Sequence, residues 1–369
     1  MHLTVGIGPP RSALPADLDV GIPLVKAALL YGDRVTLCSP AASVLVRLRD
    51  HDPPDAARRL DVLAGLADDL GLGDAPRRLA DAVGLRRVDP VAVERTVASW
   101  WDRYRRALAE AVAASGLPEL APAVSSGRLA IETLGIGVVA RPSDFAEAAA
   151  ATYAATVSDA VARGDTTPLL DGPTADVLRD EIASGRLSVS GPRQANARSG
   201  GLGASVLQRL PLFDRATVAE VLDIRSDLDA PLARFRAAID GFSDEVAAAA
   251  WDADFQVEAA RVYRQRVVPA VEDIETVVAS VGYLRELVSR YAERPAQFVP
   301  VAVPALTVAL TSAGALSQVV AASLVGGSLL ANGVAAGWTW RDARREVEAR
   351  RLFFVYATRR QLAGRSVWR

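Results

Sequence analysis

The 369-residue chain has one cysteine, Cys38, two histidines, His2 and His51, and one lysine, Lys26. A single thiol forms no intrachain disulfide and no cysteine-based zinc site. Two histidines leave little material for His-dependent catalysis: neither sits in a G-x-S-x-G elbow, and His51, beside Asp50 and Asp52, reads as a solvated loop residue. Aromatic residues make up 6% of the chain against 50% for the whole apolar set, so its hydrophobicity comes from small side chains, 69 of them Ala. No N-x-S/T acceptor occurs, since Asn196 and Asn332 are followed by Ala-Arg and Gly-Val. The start carries no secretory pattern, because Pro9, Pro10 and Pro15 follow the short run Met1 to Ile7 and Asp17 and Asp19 come next. The expected compartment is the cytoplasm, with membrane association left to the C-terminal region.

A formal charge of −2 offers no general basic face for phosphate, so nucleic acid is not an expected partner. The charge is uneven: residues 341–369 hold nine arginines against Asp342, Glu346 and Glu348, a net of +6, which leaves about −8 on the rest. Arg replaces Lys almost everywhere, as a GC-biased codon habit would produce. Lys26, inside the apolar run from Ile22 to Leu30, reads as a snorkelling helix residue.

The first 50 residues have a β-α-β-α pattern: a strand at His2 to Gly6, a helix at Pro23 to Tyr31, a strand at Arg34 to Cys38, and a helix opened by Ser39-Pro40. Asp52 to Gly116 is helical, broken at Gly71 to Asp74 and at Asp89-Pro90, with a long helix bearing Trp100 and Trp101. Strand-like spacing follows from Arg128 to Val139, then a helix announced by Ser143, Asp144 and Glu147. Asp165 to Pro173 reads as a turn-rich link into a helix ending near Ser184-Gly185. Ser188 to Ser205 holds four glycines, four serines and a proline, and reads as a linker. The organisation expected is an α/β and helical domain over 1–187, a Gly/Ser-rich linker over 188–205, and a helical domain over 206–369.

In the second half Asp214 fits the cap of a helix carrying Val218 through Val246. A second helix keeps a 4-3-4-3 seam through Tyr263, Val267, Ala270, Ile274, Val277, Val281, Leu284 and Val288. That spacing specifies coiled-coil packing, either as an antiparallel hairpin with the preceding helix or between chains as a homo-oligomer. Pro269 lies inside the seam and should disturb it by removing a backbone donor.

Between Arg294 and Arg341 lie 46 residues without an ionisable side chain, enough for two apolar helices. Each half gains only about 3 kcal/mol of insertion energy before its prolines and polar residues subtract from it. Gly333 and Gly337 form a G-x-x-x-G, Trp338 and Trp340 sit at the boundary, and Phe353 and Phe354 follow among arginines; these six are the expected membrane or partner contacts. A buried helical hairpin is the competing reading.

No motif assigns chemistry. Gly135-x-Gly137-x-x-Ala140 resembles a dinucleotide turn but continues a strand, and the Gly200 loop lacks a Walker Lys-Ser/Thr. Cys38 reads as a buried, inert thiol. Asp17 with Asp19, and Asp223, Asp227 and Asp229 around Arg225, are the carboxylates from which a Mg-assisted site would be built, although such spacings usually make ion pairs. Trp100 to Arg106 interleaves aromatics with arginines and would stack nucleotides only if both tryptophans faced outward.

The expected fold is α+β and predominantly α-helical: a small α/β region, then a helical bundle with a long antiparallel hairpin and an apolar Gly/Ala-rich hairpin. The expected function is engagement of a protein partner or membrane surface through 295–340, with the α/β half as sensor or adaptor and with no cofactor or metal. The alternative is a carboxylate-dependent enzyme on a nucleotide or phosphate substrate, and the third reading is a homo-oligomeric scaffold.

Overall fold

The computed structural model describes residues 1–8, 18, 21–50, 52–67, 71–85, 88–134, 142–279 and 344–364. The fold is 70% helical around one small parallel sheet. The chain divides into two compact units. The first is Met1–Ala204 with Thr217–Leu222 and Ala248–Phe255; the second is Ser205–Ala216, Asp223–Ala247 and the described residues of 256–369.

In the first unit the opening pattern folds as read: β1 (His2–Gly6), α1 (Ile22–Tyr31), β2 (Arg34–Cys38) and α2 (Pro40–Asp50). Ser39 caps α2, its Oγ accepting the Ala42 amide at 3.4 Å. Helices α3 (Ala56–Gly65), α4 (Ala75–Gly84) and α5 (Pro90–Ala114) follow, with the short α6 (Ala121–Ser125), and lead to β3 (Leu129–Ile131). After α7 (Pro142–Arg163) comes β4 (Thr167–Leu170), then α8 (Gly172–Ala183). All pairings are parallel, and the strand order is β3-β2-β1-β4. Strand β1 is central and buried from Leu3 to Gly6, as a strand covered on both faces must be.

Strand β4 lies where a turn-rich link was expected. Pro168 pairs opposite Thr4, and because β4 has a partner on one side alone, the missing donor costs the ladder nothing.

The expected linker is a helix, α9 (Gly191–Gln208). Its glycines are contact surface: a Cβ on Gly200 would lie 2.4 Å from Thr167 Cγ2, on Gly201 2.8 Å from the Phe255 ring, and on Gly203 2.6 Å from the Tyr31 ring. Close approach to the sheet and two buried aromatics offsets the helix cost of about 1 kcal/mol per glycine.

The expected long helix is two, α10 (Val218–Asp227) and α11 (Asp229–Ser243), broken at Leu228. Thr217, rather than Asp214, caps α10: Thr217 Oγ1 accepts the Glu220 amide at 3.2 Å while Glu220 Oε2 accepts the Thr217 amide at 2.7 Å, a reciprocal capping box. Helix α12 (Phe255–Val262) runs into a π-turn, Tyr263–Val267, and then into helix over 268–279. The Val268 amide bonds to Tyr263 O, so the chain meets Pro269 with a widened turn in place of a break. Within the seam Val267, Ile274 and Val277 are buried. Val281, Leu284 and Val288 lie outside the described residues, as does all of 295–340 with Gly333, Gly337, Trp338 and Trp340.

The C-terminal helix α13 (Phe353–Leu362) packs on α11, with Phe354 stacked on Phe235 at 5.2 Å between ring centroids. Phe353 and Phe354 are both buried. The expectation that these two rings present an outward contact is thereby corrected: the segment Leu352–Ala357 is core, because α11 supplies its apolar cover. Among the described residues no helix is long and apolar enough to cross a membrane.

Candidate functional site

In a parallel sheet with order β3-β2-β1-β4, the chain steps from β1 to β2 to β3 on one side of β1 and then crosses back through α7 to β4 on the other, so the strand order reverses between β1 and β4. The crevice outside the carboxyl ends of β1 and β4 is where such sheets place ligands. The exit of β1 is Gly6-Ile7-Gly8 and that of β4 is Leu170-Asp171.

Asp171 ties the two exits together. Its Oδ2 accepts the Gly8 amide at 2.9 Å; its Oδ1 accepts the Thr174 amide at 2.9 Å and the Thr174 hydroxyl at 2.5 Å. The Asp171 amide in turn donates to Gly6 O at 3.0 Å. The buried Tyr153 hydroxyl, from α7, lies 2.5 Å from Thr174 Oγ1. Since Thr174 spends its proton on Asp171, Tyr153 donates to Thr174, and a chain of donors runs Tyr153 to Thr174 to Asp171. Burial pushes the Tyr153 phenol well above its ordinary range, the Thr174 bond opposes this, and Asp171 and Cys38 push the same way as burial. Gly6 is required by this packing, as a Cβ there would sit 2.9 Å from Thr174 Cγ2 and 3.2 Å from the Tyr153 hydroxyl.

Beside this chain Cys38 ends β2 in a cluster with Leu134, Tyr153 and Val157. Its thiol is pushed up to about 12, first by burial, then by Glu132, with Arg163 opposing. It is a packing residue, as read from the sequence, and no nucleophile at neutral pH.

The helix N-termini at this edge are already served by the protein. Asp171 caps α8, Ser39 caps α2, and the Ile22 amide of α1 donates to Leu18 O at 3.0 Å. Asp171 retains one acceptor position on Oδ2, by the four lone-pair sites of a carboxylate.

The other sequence candidates are dispersed. Arg225 is buried and pairs with Asp229, while Asp227 accepts from Gln361 Nε2 at 3.4 Å, so two of the three carboxylates are engaged by protein donors. Trp101 is buried and donates through Nε1 to Asp52 at 3.2 Å; Trp100 is half-buried in the same cluster, and no paired stacking platform exists there. Lys26 does not snorkel: it is buried and binds Glu119 at 2.7 Å. Asp17, Asp19, His51 and the Gly135–Ala140 turn lie outside the described residues. Among the described residues no group of three or more His, Cys, Asp or Glu could hold a metal ion. The Tyr153–Thr174–Asp171 chain was not found from sequence; its one signal is Asp171-Gly-Pro-Thr174, a cap pattern at the end of a strand that Pro168 hid.

Compared with known protein families, with characterised proteins and with solved structures, the chain has no match.

Proposed function

We propose that the chain is a binding protein. Its α/β unit takes a small polar ligand at the β1–β4 crevice, and its C-terminal region engages a protein partner or a membrane surface through the uncharged run 295–340. The observation that carries the ligand half is the strand reversal between β1 and β4, where Gly8 and Asp171 meet. Asp171 Oδ2 keeps an open acceptor position there, so the ligand groups suited to it are hydroxyl or amino donors. A thermal-shift screen of polyols, amino compounds and nucleotides, followed by hydrogen exchange on residues 6–8 and 171–174, tests it. A hit that slows exchange there supports the reading; a flat screen sinks it.

The partner half rests on the 46 uncharged residues between Arg294 and Arg341 and the +6 tail behind them. Flotation with anionic vesicles and chemical crosslinking, each run on the full chain and on a chain ended after Arg294, test it. Equal and negligible capture of both chains discards it.

A second reading, a Mg-assisted enzyme on a nucleotide or phosphate, is favoured by Asp171 at the same crevice. Its test is turnover of nucleotides with and without Mg²⁺ in the wild type and in Asp171→Asn; the absence of Mg-dependent product rejects it.

A further inference from the structure

Arg209, just past the end of α9 in the second unit, is half-buried and has no carboxylate partner among the described residues. Its guanidinium is held by neutral oxygens alone. Nη1 donates to Ser205 Oγ at 2.6 Å and to Ser205 O at 3.2 Å, and Nη2 donates to Gln256 O at 3.3 Å. Ser205 is itself buried, and its hydroxyl bonds to Gln256 Oε1 at 3.4 Å, which fixes both acceptors. The titratable group acting on the guanidinium is Tyr263, in the π-turn of the same unit. Partial burial pulls the Arg209 pKa below its ordinary value, because nothing anionic compensates the lost water.

Three other half-buried or buried arginines of the unit face carboxylates, whereas Arg234, like Arg209, donates to a backbone carbonyl, that of Glu348. Arg225 faces Asp229, Arg359 faces Glu275 and Arg344 faces Glu348. An arginine has five N–H donors, and three of Arg209's are engaged. The two that remain, Nε–H and one on Nη2, are what a carboxylate takes in a bidentate pair. The surroundings favour a single negative charge: Ser205, Gln256 and Tyr263 are neutral, so one guanidinium balances a carboxylate but leaves a phosphate dianion half compensated. Three residues on from Arg209, Leu212 is 44% exposed in a left-handed backbone (φ 67°), and Val257, next to Gln256, is 68% exposed. An organic carboxylate carries the single charge that one guanidinium balances and the two oxygens that its free edge can take.

We propose that Arg209, held by Ser205 and Gln256 beside Tyr263, is a binding site for an organic carboxylate. Hydrogen exchange of the full chain in acetate, in phosphate and in chloride at equal ionic strength reads it directly. Acetate is expected to slow exchange over 205–212 and 255–263, saturably, and phosphate to do so less. Arg209→Lys, which keeps the charge but loses the fork, is expected to weaken acetate protection about tenfold. Arg209→Gln should abolish it, and Arg359→Gln should leave it unchanged. No protection by acetate in the wild type, protection that survives in Arg209→Gln, or phosphate equal to acetate each overturns the assignment. Should Arg209→Gln fail to fold, the wild-type and Arg209→Lys titrations decide.

Discussion

Lys26 and Glu119 form an ion pair of 2.7 Å in which the lysine side chain is 5% exposed and the glutamate 34%. The single ammonium of the chain is therefore spent inside the first unit, holding α1 against the turn that precedes α6. Removing the Glu119 carboxylate leaves the buried charge without its direct partner, with the electrostatic influence of Glu220 still beside it, which is the costlier way to break such a pair. Glu119→Gln is expected to destabilise the protein by about 3 kcal/mol, and Lys26→Met, which removes the charge and keeps the volume, by about 1 kcal/mol. Urea denaturation of both variants checks the order; Lys26→Met as damaging as Glu119→Gln would mean that the pair is not what holds this contact.

The glycines of α9 and α11 make a controlled contrast. At Gly203 a methyl group would meet three carbons of the buried Tyr31 ring at 2.6 to 3.0 Å, and neither partner has room to retreat. Gly203→Ala should cost about 2 kcal/mol through overpacking, despite the better helix propensity of alanine. At Gly241, in α11, nothing lies within 4 Å of the added methyl, so Gly241→Ala should stabilise by about 0.5 to 1 kcal/mol. Thermal unfolding of the two variants gives shifts of opposite sign if the glycines of α9 are contact surface.

How far the sequence could be read follows from these residues. Where side-chain type and local geometry agree, as at Ser39-Pro40 and in the alternation of β1, the elements appear at the expected positions. The failures come from residues whose meaning depends on distant partners. Gly200, Gly201 and Gly203 look like flexibility until Thr167, Phe255 and Tyr31 are brought against them. Pro168 looks like a turn until β4 proves to have a partner on one side alone. Phe353 and Phe354, set among arginines, look like an amphipathic surface until α11 covers them. The Tyr153–Thr174–Asp171 chain spans α7 and α8 and has no contiguous signature.

At the β1–β4 crevice, Tyr153→Phe removes a donor from a buried chain and leaves Thr174 Oγ1 without it. The expected loss is about 1 kcal/mol. Asp171→Ala removes the α8 cap and the Gly8 tether together and should cost about 2 kcal/mol, toward the upper end for a cap residue. Chemical denaturation measures both, and hydrogen exchange at residues 6–8 should rise in Asp171→Ala and stay unchanged in Tyr153→Phe. Equal exchange at Gly8 in the wild type and Asp171→Ala would show that the tether does not hold the β1 exit.

Tyr104 supplies the last prediction, because its hydroxyl is buried without a hydrogen-bond partner in the cluster of α3, α4 and α5. An unsatisfied buried hydroxyl costs about 1 to 3 kcal/mol, so Tyr104→Phe should raise stability at neutral pH by about 1 kcal/mol with the ring contact to Trp101, 4.7 Å between centroids, intact. The same burial pushes the phenol up to about 12, and Cys38 is likewise pushed up to about 12 from an ordinary value near 9. In both groups the folded state holds its proton more tightly than the unfolded chain. Their contribution is therefore fully present below the unfolded pKa and is lost as pH rises toward 12. Stability should fall from about pH 9 upward, with Cys38→Val removing the part that begins near 9 and Tyr104→Phe a share of the part that begins near 10, to which the raised phenols of Tyr153 and Tyr356 also contribute. Urea midpoints measured from pH 7 to pH 11 separate the two. An alkaline slope identical in wild type and both variants would assign the loss to other groups.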